Sequence, residues 1–172
     1  MRIYLIGYSY SGKTTLGREL AKRLRYKFFD TDKAIELKYR TTVPVFFNRY
    51  GEKAFRIIER QILQSTAEMD NIVVSTGGGT SCNDENIRFI TSNGTAIYLK
   101  MNPEDILQRA AISHKQRPLL EGKTTEEARE FIKQQLTERM QYYTQAHLTV
   151  EAVSVTAEQL MQTLGLSAQQ KD

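Results

Sequence analysis

The chain has 172 residues, of which 40% are hydrophobic and 26% charged, and its formal net charge is +4. This length and composition are typical of one globular domain with a single core, and they exclude fibrous and wholly disordered proteins. The basic residues are spread along the chain without a block of five or more, which argues against nucleic acid as a partner.

Cysteine content and hydropathy indicate the cellular compartment. Cys82 is the only cysteine, so no intramolecular disulfide can form, and His114 and His147 are too few to complete a metal cluster with it. The apolar run at residues 3–6 is too short for a signal peptide or a membrane span, and no later run approaches eighteen apolar residues. We therefore expect a cytoplasmic protein without a membrane partner.

Hydrophobic period and turn residues predict strands that alternate with helices. In chain order, the first half predicts a strand at 3–6, a helix carrying Leu16, Leu20 and Leu24, a strand at 27–30, helices at 31–39 and 43–50 separated near Pro44, a helix at 52–68 and a strand at 72–74. The second half predicts a helix carrying Ile87 and Ile90, a strand at 95–99, helices after the caps Asn102 and Thr124, a strand at 148–150 and a helix from Thr156 through Leu164.

This alternation predicts an α/β fold with an open parallel sheet of about five strands and helices on both faces. Such sheets bind ligands at the carboxyl ends of their strands. We expect one domain over residues 1–166. Residues 112–124 are polar and contain Pro118, which predicts a mobile lid, and residues 167–172 form a polar tail.

The clearest motif lies between the first strand and the first helix. Residues 7–14 read Gly-Tyr-Ser-Tyr-Ser-Gly-Lys-Thr and match the phosphate-loop pattern G-x-x-x-x-G-K-[ST]. In such a loop, backbone N–H groups and a helix N-terminus surround phosphate oxygens, Lys13 reaches the β and γ phosphates, and Thr14 binds Mg²⁺. The motif predicts ATP and Mg²⁺ as ligands, with nucleotide contacts from Gly7, Tyr10, Ser11, Gly12, Lys13, Thr14 and Thr15.

Five further groups of residues, taken in order, resemble the shikimate kinase family. They are Asp-Thr-Asp at 30–32, Gly-Glu-Lys-Ala-Phe-Arg at 51–56, Gly-Gly-Gly at 77–79, Arg-Pro-Leu-Leu at 117–120, and Arg139 before Tyr142 and Tyr143. The likeness runs from about residue 3 to residue 146. It implies a P-loop kinase, with a fold like that of nucleoside monophosphate kinases, that transfers the γ-phosphoryl of ATP to the 3-hydroxyl of shikimate in aromatic amino-acid biosynthesis.

The resemblance also implies roles on the acceptor side. Asp32 would contact the hydroxyl that is phosphorylated, orienting it or accepting its proton, and Asp30 would lie near the magnesium. Either aspartate is also a good N-cap for the next helix. Arg56 and Arg139 would bind the substrate carboxylate, because a guanidinium presents two parallel N–H donors to it.

Further implied contacts involve the glycine run and the lid. Gly77, Gly78 and Gly79 would let the backbone approach the substrate ring, unless they form an ordinary turn. Arg117 would move onto the transferring phosphoryl group as the lid closes, and Arg109 would stack on adenine. Either arginine is otherwise a solvated surface residue.

Tyr10 departs from the resembled family, whose loops usually carry glycine at this position. We expect a monomer that acts on a small molecule. Two rival functions stay open: another small P-loop kinase, such as a gluconate or nucleoside monophosphate kinase, and a non-catalytic nucleotide-binding or nucleic-acid-binding module.

Overall fold

The computed structural model describes residues 1–113 and 122–166. Within these ranges, the strands are Arg2–Ile6 (β1), Lys27–Asp30 (β2), Ile72–Ser75 (β3), Thr95–Lys100 (β4) and Leu148–Glu151 (β5). The helices are Lys13–Leu24 (α1), Thr31–Tyr39 (α2), Val43–Ser65 (α3), Asp84–Asn93 (α4), Pro103–Ile112 (α5), Thr125–Tyr143 (α6) and Ala157–Thr163 (α7), with a 3₁₀ turn at Thr66–Glu68.

The strands form one parallel sheet in the order β2-β3-β1-β4-β5. In the register of the central strands, Leu5 lies opposite Ser75 on one side and Ile97 on the other. Because all strands run in the same direction, their carboxyl ends lie along one edge, as the alternating pattern predicted. The loop after β1, the end of β2 at Asp30 and the end of β3 at Ser75 therefore come together.

The core surrounds the central strands. Residues 3–6 of β1 are fully buried, as are residues 72–74 of β3 and 96–99 of β4 to within a few per cent. Successive side chains of a strand point to opposite faces of the sheet, so burial of consecutive residues means that both faces are covered. The prediction of helices flanking an open parallel sheet is confirmed.

A second, smaller apolar cluster joins α2 to α3. Its buried members are Ile35 from α2 and Phe46, Phe55 and Ile62 from α3. Because α2 and α3 pack against each other, the polar side chains that these helices present near the carboxyl edge of the sheet are held in place. This cluster therefore fixes α2, which carries Asp32, relative to α3, which carries Arg56.

The segment between β2 and β3 contains the predicted helices, with small differences at their ends. The predicted break near Pro44 is present, but Pro44 itself lies in the first turn of α3, where its missing N–H has no helical partner to lose. The separation falls instead at Arg40, which is left-handed with φ 51°. The helices predicted at 43–50 and 52–68 are both present within α3: they meet at a kink at Gly51, whose backbone is not helical (φ 79°, ψ 170°), and the second one ends at Ser65, before the 3₁₀ turn.

Three predicted helix starts are confirmed. Asn102 accepts a hydrogen bond from the backbone of Asp105 at the start of α5. Thr124 and Glu127 form a reciprocal capping box at α6, with bonds of 2.7 and 3.2 Å, and Thr156 caps α7 in the same way. Most of the lid predicted at 112–124, including Arg117, and the whole tail at 167–172 lie outside the described residues.

Within residues 1–113 and 122–166, no helix combines the length and the apolar character needed to cross a membrane.

Candidate active site

The phosphate loop occupies the turn from β1 into α1, as predicted. Gly12 adopts a left-handed conformation (φ 88°) as the N-cap residue, and Lys13 begins the helix. The buried side chain of Lys13 turns back over the loop, where its Nζ donates hydrogen bonds to the carbonyl oxygens of Gly7 (2.8 Å) and Tyr8 (2.7 Å). An ammonium group therefore lies inside the loop, beside the N-terminus of α1, which is where anions bind.

The structure explains why Tyr10 is unusual at its position. Its backbone is left-handed, with φ 68°, a conformation that glycine adopts freely and that other residues adopt at a cost of about 1 kcal/mol or more. The half-buried phenol ring packs against the main core, which offsets part of this cost. Tyr10 thus keeps the loop geometry that a glycine would otherwise supply.

Arg109 reaches from α5 over the phosphate loop. Its Nη1 donates to the carbonyl of Tyr10 and its Nη2 to the carbonyl of Ala152, each at 3.3 Å. A Cβ at Gly12 would lie 3.2 Å from the same guanidinium. Arg109 therefore covers the loop and connects it to the segment after β5.

Oxygen ligands gather where α1 meets the ends of β2 and β3. Thr14 Oγ1 donates a 2.8 Å hydrogen bond to Asp30 Oδ2 and lies 3.3 Å from Ser75 Oγ. The other oxygen of Asp30 accepts from the backbone of Lys33, so Asp30 is also the N-cap of α2. The Asp30 carboxylate thus caps α2 and also lies beside the predicted metal site.

This group of oxygens fits the chemistry of magnesium. Mg²⁺ prefers oxygen ligands and is usually held by one or two carboxylates together with waters and substrate phosphates. Across the described part of the chain, no three His, Cys, Asp or Glu side chains gather where they could hold a metal ion. The one carboxylate and one hydroxyl at Asp30 and Thr14 match the small number of protein ligands that Mg²⁺ takes beside a nucleotide.

Close packing surrounds all three residues of the glycine turn at 77–79, none of which is left-handed, and it is tightest at Gly77 and Gly78. A Cβ at Gly77 would lie 2.7 Å from Asp32 Oδ1, and one at Gly78 would lie 2.9 Å from the backbone nitrogen of Ser9. From the resemblance, these glycines were expected to let a substrate approach the backbone. The structure adds a reason within the protein, since the phosphate loop and Asp32 themselves occupy the space.

Arg56 contacts the same turn from α3. A Cβ at Gly79 would lie 3.1 Å from its Nη2. Its Nη1 donates to Glu59 Oε2 at 2.7 Å, and its Nε and Nη2 donate to Glu52 Oε1 at 3.3 Å. Burial alone would lower the pKa of Arg56, but the charges and hydrogen bonds of Glu59 and Glu52 outweigh it, so the pKa is raised and the guanidinium stays charged.

Glu59 was missed by the sequence analysis. It is buried, and its second carboxylate oxygen accepts a 2.7 Å hydrogen bond from Thr80 beside the glycine turn. One signal was present in the sequence: Glu59 falls four residues after Phe55 and three before Ile62, on the apolar face of the helix. A glutamate on that face needs a buried partner, and Arg56 is three residues away.

Arg139 reaches the turn from α6. Its Nη1 donates a 3.1 Å hydrogen bond to the carbonyl of Gly78, and its guanidinium lies 5.1 Å from the centre of the Tyr8 ring. Arg56 and Arg139 come from helices that are distant in sequence, and both contact the glycine turn. The structure therefore brings together the two arginines that the resemblance paired.

An open cleft of about 310 Å³ runs between the phosphate loop and the glycine turn. The cleft is lined by residues of the phosphate loop, by Asp30 and Ser75 beside Thr14, by Asp32, and by residues of the neighbouring segments. The lining residues are Tyr10, Gly12, Lys13, Thr14, Thr15, Asp30, Asp32, Ser75, Thr76, Gly78, Arg109 and Ser113.

A parallel five-stranded sheet with a phosphate loop at its carboxyl edge, facing a carboxylate and two arginines, defines a phosphate-loop kinase of small molecules. The family model described as "Shikimate kinase" matches residues 10–167. The chain belongs to the shikimate kinase family.

Curated relatives and solved structures agree with this assignment. The chain is 41% identical over 157 residues to the shikimate kinase of Parabacteroides distasonis, covering 91% of each chain. It is 37% identical over 151 residues to that of Aquifex aeolicus, covering 88% of this chain and 86% of the relative.

Two solved structures of shikimate kinases superpose over nearly the whole chain. The enzyme from Bacteroides thetaiotaomicron gives a TM-score of 0.92 at 37% identity, with 96% of this chain and 99% of that chain covered. The enzyme from Acinetobacter baumannii, solved in complex with shikimate, gives 0.84 at 35% identity, with 95% and 89% covered.

Proposed function

We propose that this protein transfers the γ-phosphoryl group of ATP to the 3-hydroxyl of shikimate. One observation carries the proposal: Asp32, Arg56 and Arg139 all lie beside the glycine turn at 77–79, next to the phosphate loop that holds Lys13. A substrate that is a hydroxy acid requires a protein carboxylate to contact its hydroxyl and guanidinium groups to bind its own carboxylate. Asp32 and the two arginines are groups of these kinds.

The two arginines bind and orient the acceptor in this proposal. Arg56 and Arg139 form hydrogen bonds with the substrate carboxylate, and the backbone of Gly77, Gly78 and Gly79 lies against its ring. The negative partners of Arg56 favour its charged form, and the charged form is the one that binds a carboxylate. Acceptor specificity therefore depends mainly on α3, α6 and the glycine turn.

Asp32 acts on the acceptor hydroxyl. The hydroxyl oxygen forms a bond to the γ-phosphorus, the bond from that phosphorus to the β–γ bridging oxygen breaks, and Asp32 orients the hydroxyl or takes its proton. Lys13, and Arg117 from the lid segment outside the described residues, neutralise charge on the transferring group. Most of the rate enhancement then comes from positioning and charge stabilisation.

Mg²⁺ and the nucleotide occupy the other half of the cleft. Thr14 and Asp30 would hold Mg²⁺, which when bound neutralises charge on the β and γ phosphates. Arg109 stacks on the adenine, and residues 10–15 surround the phosphates. We infer that the enzyme is a monomer and that it acts in the cytoplasm.

The test is an ADP-release assay with a panel of acceptors. We expect ATP-dependent turnover with shikimate, and little or none with gluconate or nucleoside monophosphates. Turnover with gluconate but not shikimate would leave a phosphate-loop kinase with a different acceptor. A purified, folded chain that binds ATP and releases no ADP with any acceptor would favour a non-catalytic nucleotide-binding module.

A further inference from the structure

Three side chains of α6 form a stripe that faces the site. Gln135, Arg139 and Tyr143 are spaced by four residues, so they lie on one face of the helix. Each contacts either Tyr8 or the glycine turn. The α6 stripe, as defined by these three residues, thus connects the proposed carboxylate-binding arginine to both halves of the cleft.

The first end of the stripe rests on the phosphate loop. The Tyr8 hydroxyl donates a 2.9 Å hydrogen bond to Gln135 Oε1, and the face of the Tyr8 ring lies beneath the Arg139 guanidinium at 5.1 Å. A guanidinium over an aromatic face is stabilised by the ring quadrupole. The carbonyl of Tyr8 meanwhile accepts from Lys13, so one loop residue contacts both cations.

The second end rests on the glycine turn. The Tyr143 hydroxyl donates a 2.7 Å hydrogen bond to the carbonyl of Gly78, the oxygen to which Arg139 Nη1 also donates at 3.1 Å. A carbonyl oxygen has two lone pairs, so it can accept from both. The Tyr143 ring is fully buried and stacks on Tyr98 with centroids 4.7 Å apart, which fixes the position of its hydroxyl.

We propose that Tyr143 and Tyr8 are positioning residues that hold the Arg139 guanidinium in place for the acceptor carboxylate. Tyr143 acts through the shared carbonyl of Gly78, and Tyr8 acts through its ring. An arginine that is already held loses less conformational entropy when it binds its partner, so the affinity for the carboxylate is higher. This inference rests on the proposed function, because it assigns Arg139 to the substrate carboxylate.

The decisive experiment is a double-mutant cycle between Tyr143→Phe and Arg139→Ala, read as kcat/KM for shikimate. Tyr143→Phe keeps the buried ring and removes one hydroxyl, so we expect a five- to tenfold loss in the wild-type background, mainly as a raised KM for shikimate. In the Arg139→Ala background the same change should cost less than twofold, and the KM for ATP should change less than twofold throughout.

Tyr98→Phe is the matched control, because it removes the hydroxyl from the other ring of the same stack and leaves the Gly78 contact intact. We expect kcat/KM for shikimate to stay within twofold of wild type. Tyr8→Leu and Tyr8→Phe give a second, independent pair: loss of the ring should raise the KM for shikimate about fivefold, whereas loss of the hydroxyl alone should cost less. Thermal unfolding verifies that each variant is folded.

The outcomes separate the two proposals. Equal losses from Tyr143→Phe in both backgrounds, or an equal rise in the KM for ATP, would overturn the positioning role while the enzyme remains active on shikimate. Equal effects of Tyr8→Leu and Tyr8→Phe would overturn the role of the Tyr8 ring. A wild-type protein that does not phosphorylate shikimate would overturn the proposed function, and this inference with it.

Discussion

The buried carboxylate of Glu59 accepts a 2.7 Å hydrogen bond from Arg56, three residues earlier in the same helix. Its other oxygen accepts from Thr80, so the pair is connected to the segment that follows the glycine turn. Glu52 also accepts from Arg56, but its side chain is 64% exposed, against 2% for Glu59. Two carboxylates of different burial thus hold one arginine, and they provide a matched comparison.

Glu59→Ala should weaken acceptor binding. Without the buried carboxylate, Arg56 loses its shortest hydrogen bond and the Thr80 hydroxyl loses its acceptor, so we expect the KM for shikimate to rise about tenfold. Glu52→Ala removes a solvent-exposed ion pair, which contributes about 1 kcal/mol or less, and should change KM less than threefold. Steady-state kinetics of both variants check this, and equal effects would show that burial does not matter.

Tyr10 should respond differently to glycine than to alanine. Both substitutions remove the packing of the phenol ring, but glycine adopts the φ of 68° without strain, whereas alanine keeps the strain. We therefore expect Tyr10→Gly to be about 1 kcal/mol more stable than Tyr10→Ala in urea unfolding. The reverse order would mean that Tyr10 is not held in a left-handed conformation.

The glycine turn should tolerate a methyl group unequally along its length. At Gly78 a Cβ would meet the backbone of Ser9, which cannot move without displacing the phosphate loop. At Gly79 it would meet the flexible end of Arg56. We expect Gly78→Ala to cost about 2 kcal/mol of stability and most of the activity, and Gly79→Ala mainly to raise the KM for shikimate.

Thermal unfolding and kinetics, measured on both alanine variants, test this prediction. Equal stability of the two proteins would contradict it, because the backbone contact at Gly78 would then carry no cost.

Alkaline pH should destabilise the protein through Tyr98. Burial, and then the charge of Glu151, raise the pKa of Tyr98 to about 12, against about 10 in an unfolded chain. Its contribution to stability is complete below pH 10 and is lost as pH rises from 10 through 12, because the unfolded state deprotonates first. We expect the free energy of unfolding to fall more steeply over this range in wild type than in Tyr98→Phe. Equal slopes of the free energy of unfolding against pH in the two proteins would contradict the raised pKa of Tyr98.

Most of the fold was predictable because it depends on local patterns. Alternating apolar runs and helical periods predicted the parallel sheet, and the caps at Asn102, Thr124 and Thr156 marked helix starts. The break within α3 was predicted as well, because Gly51 is a typical helix end, but the direction of the chain after the break was not. Whether the chain turns away or continues after a kink depends on packing against α2.

The candidate site was predictable where a motif fixes a residue's neighbours, as in the phosphate loop. The contacts of Tyr8 with Arg139, and of Tyr143 with Gly78, join segments more than 60 residues apart, and no local pattern encodes such pairs. The left-handed backbone of Tyr10 is the converse case. The sequence shows that a tyrosine stands where the resembled family usually has glycine. Only the φ of Tyr10 shows that this residue adopts the left-handed conformation that glycine favours.

Product analysis of wild type and Asp32→Asn, by phosphorus and proton NMR after incubation with ATP, Mg²⁺ and shikimate, tests the central claim most directly. We predict that wild type forms a phosphate ester at the 3-hydroxyl. We expect Asp32→Asn to bind ADP with unchanged affinity and to form product at least a hundredfold more slowly. An ester at another position, no ester from folded wild type, or full activity of Asp32→Asn would contradict the account.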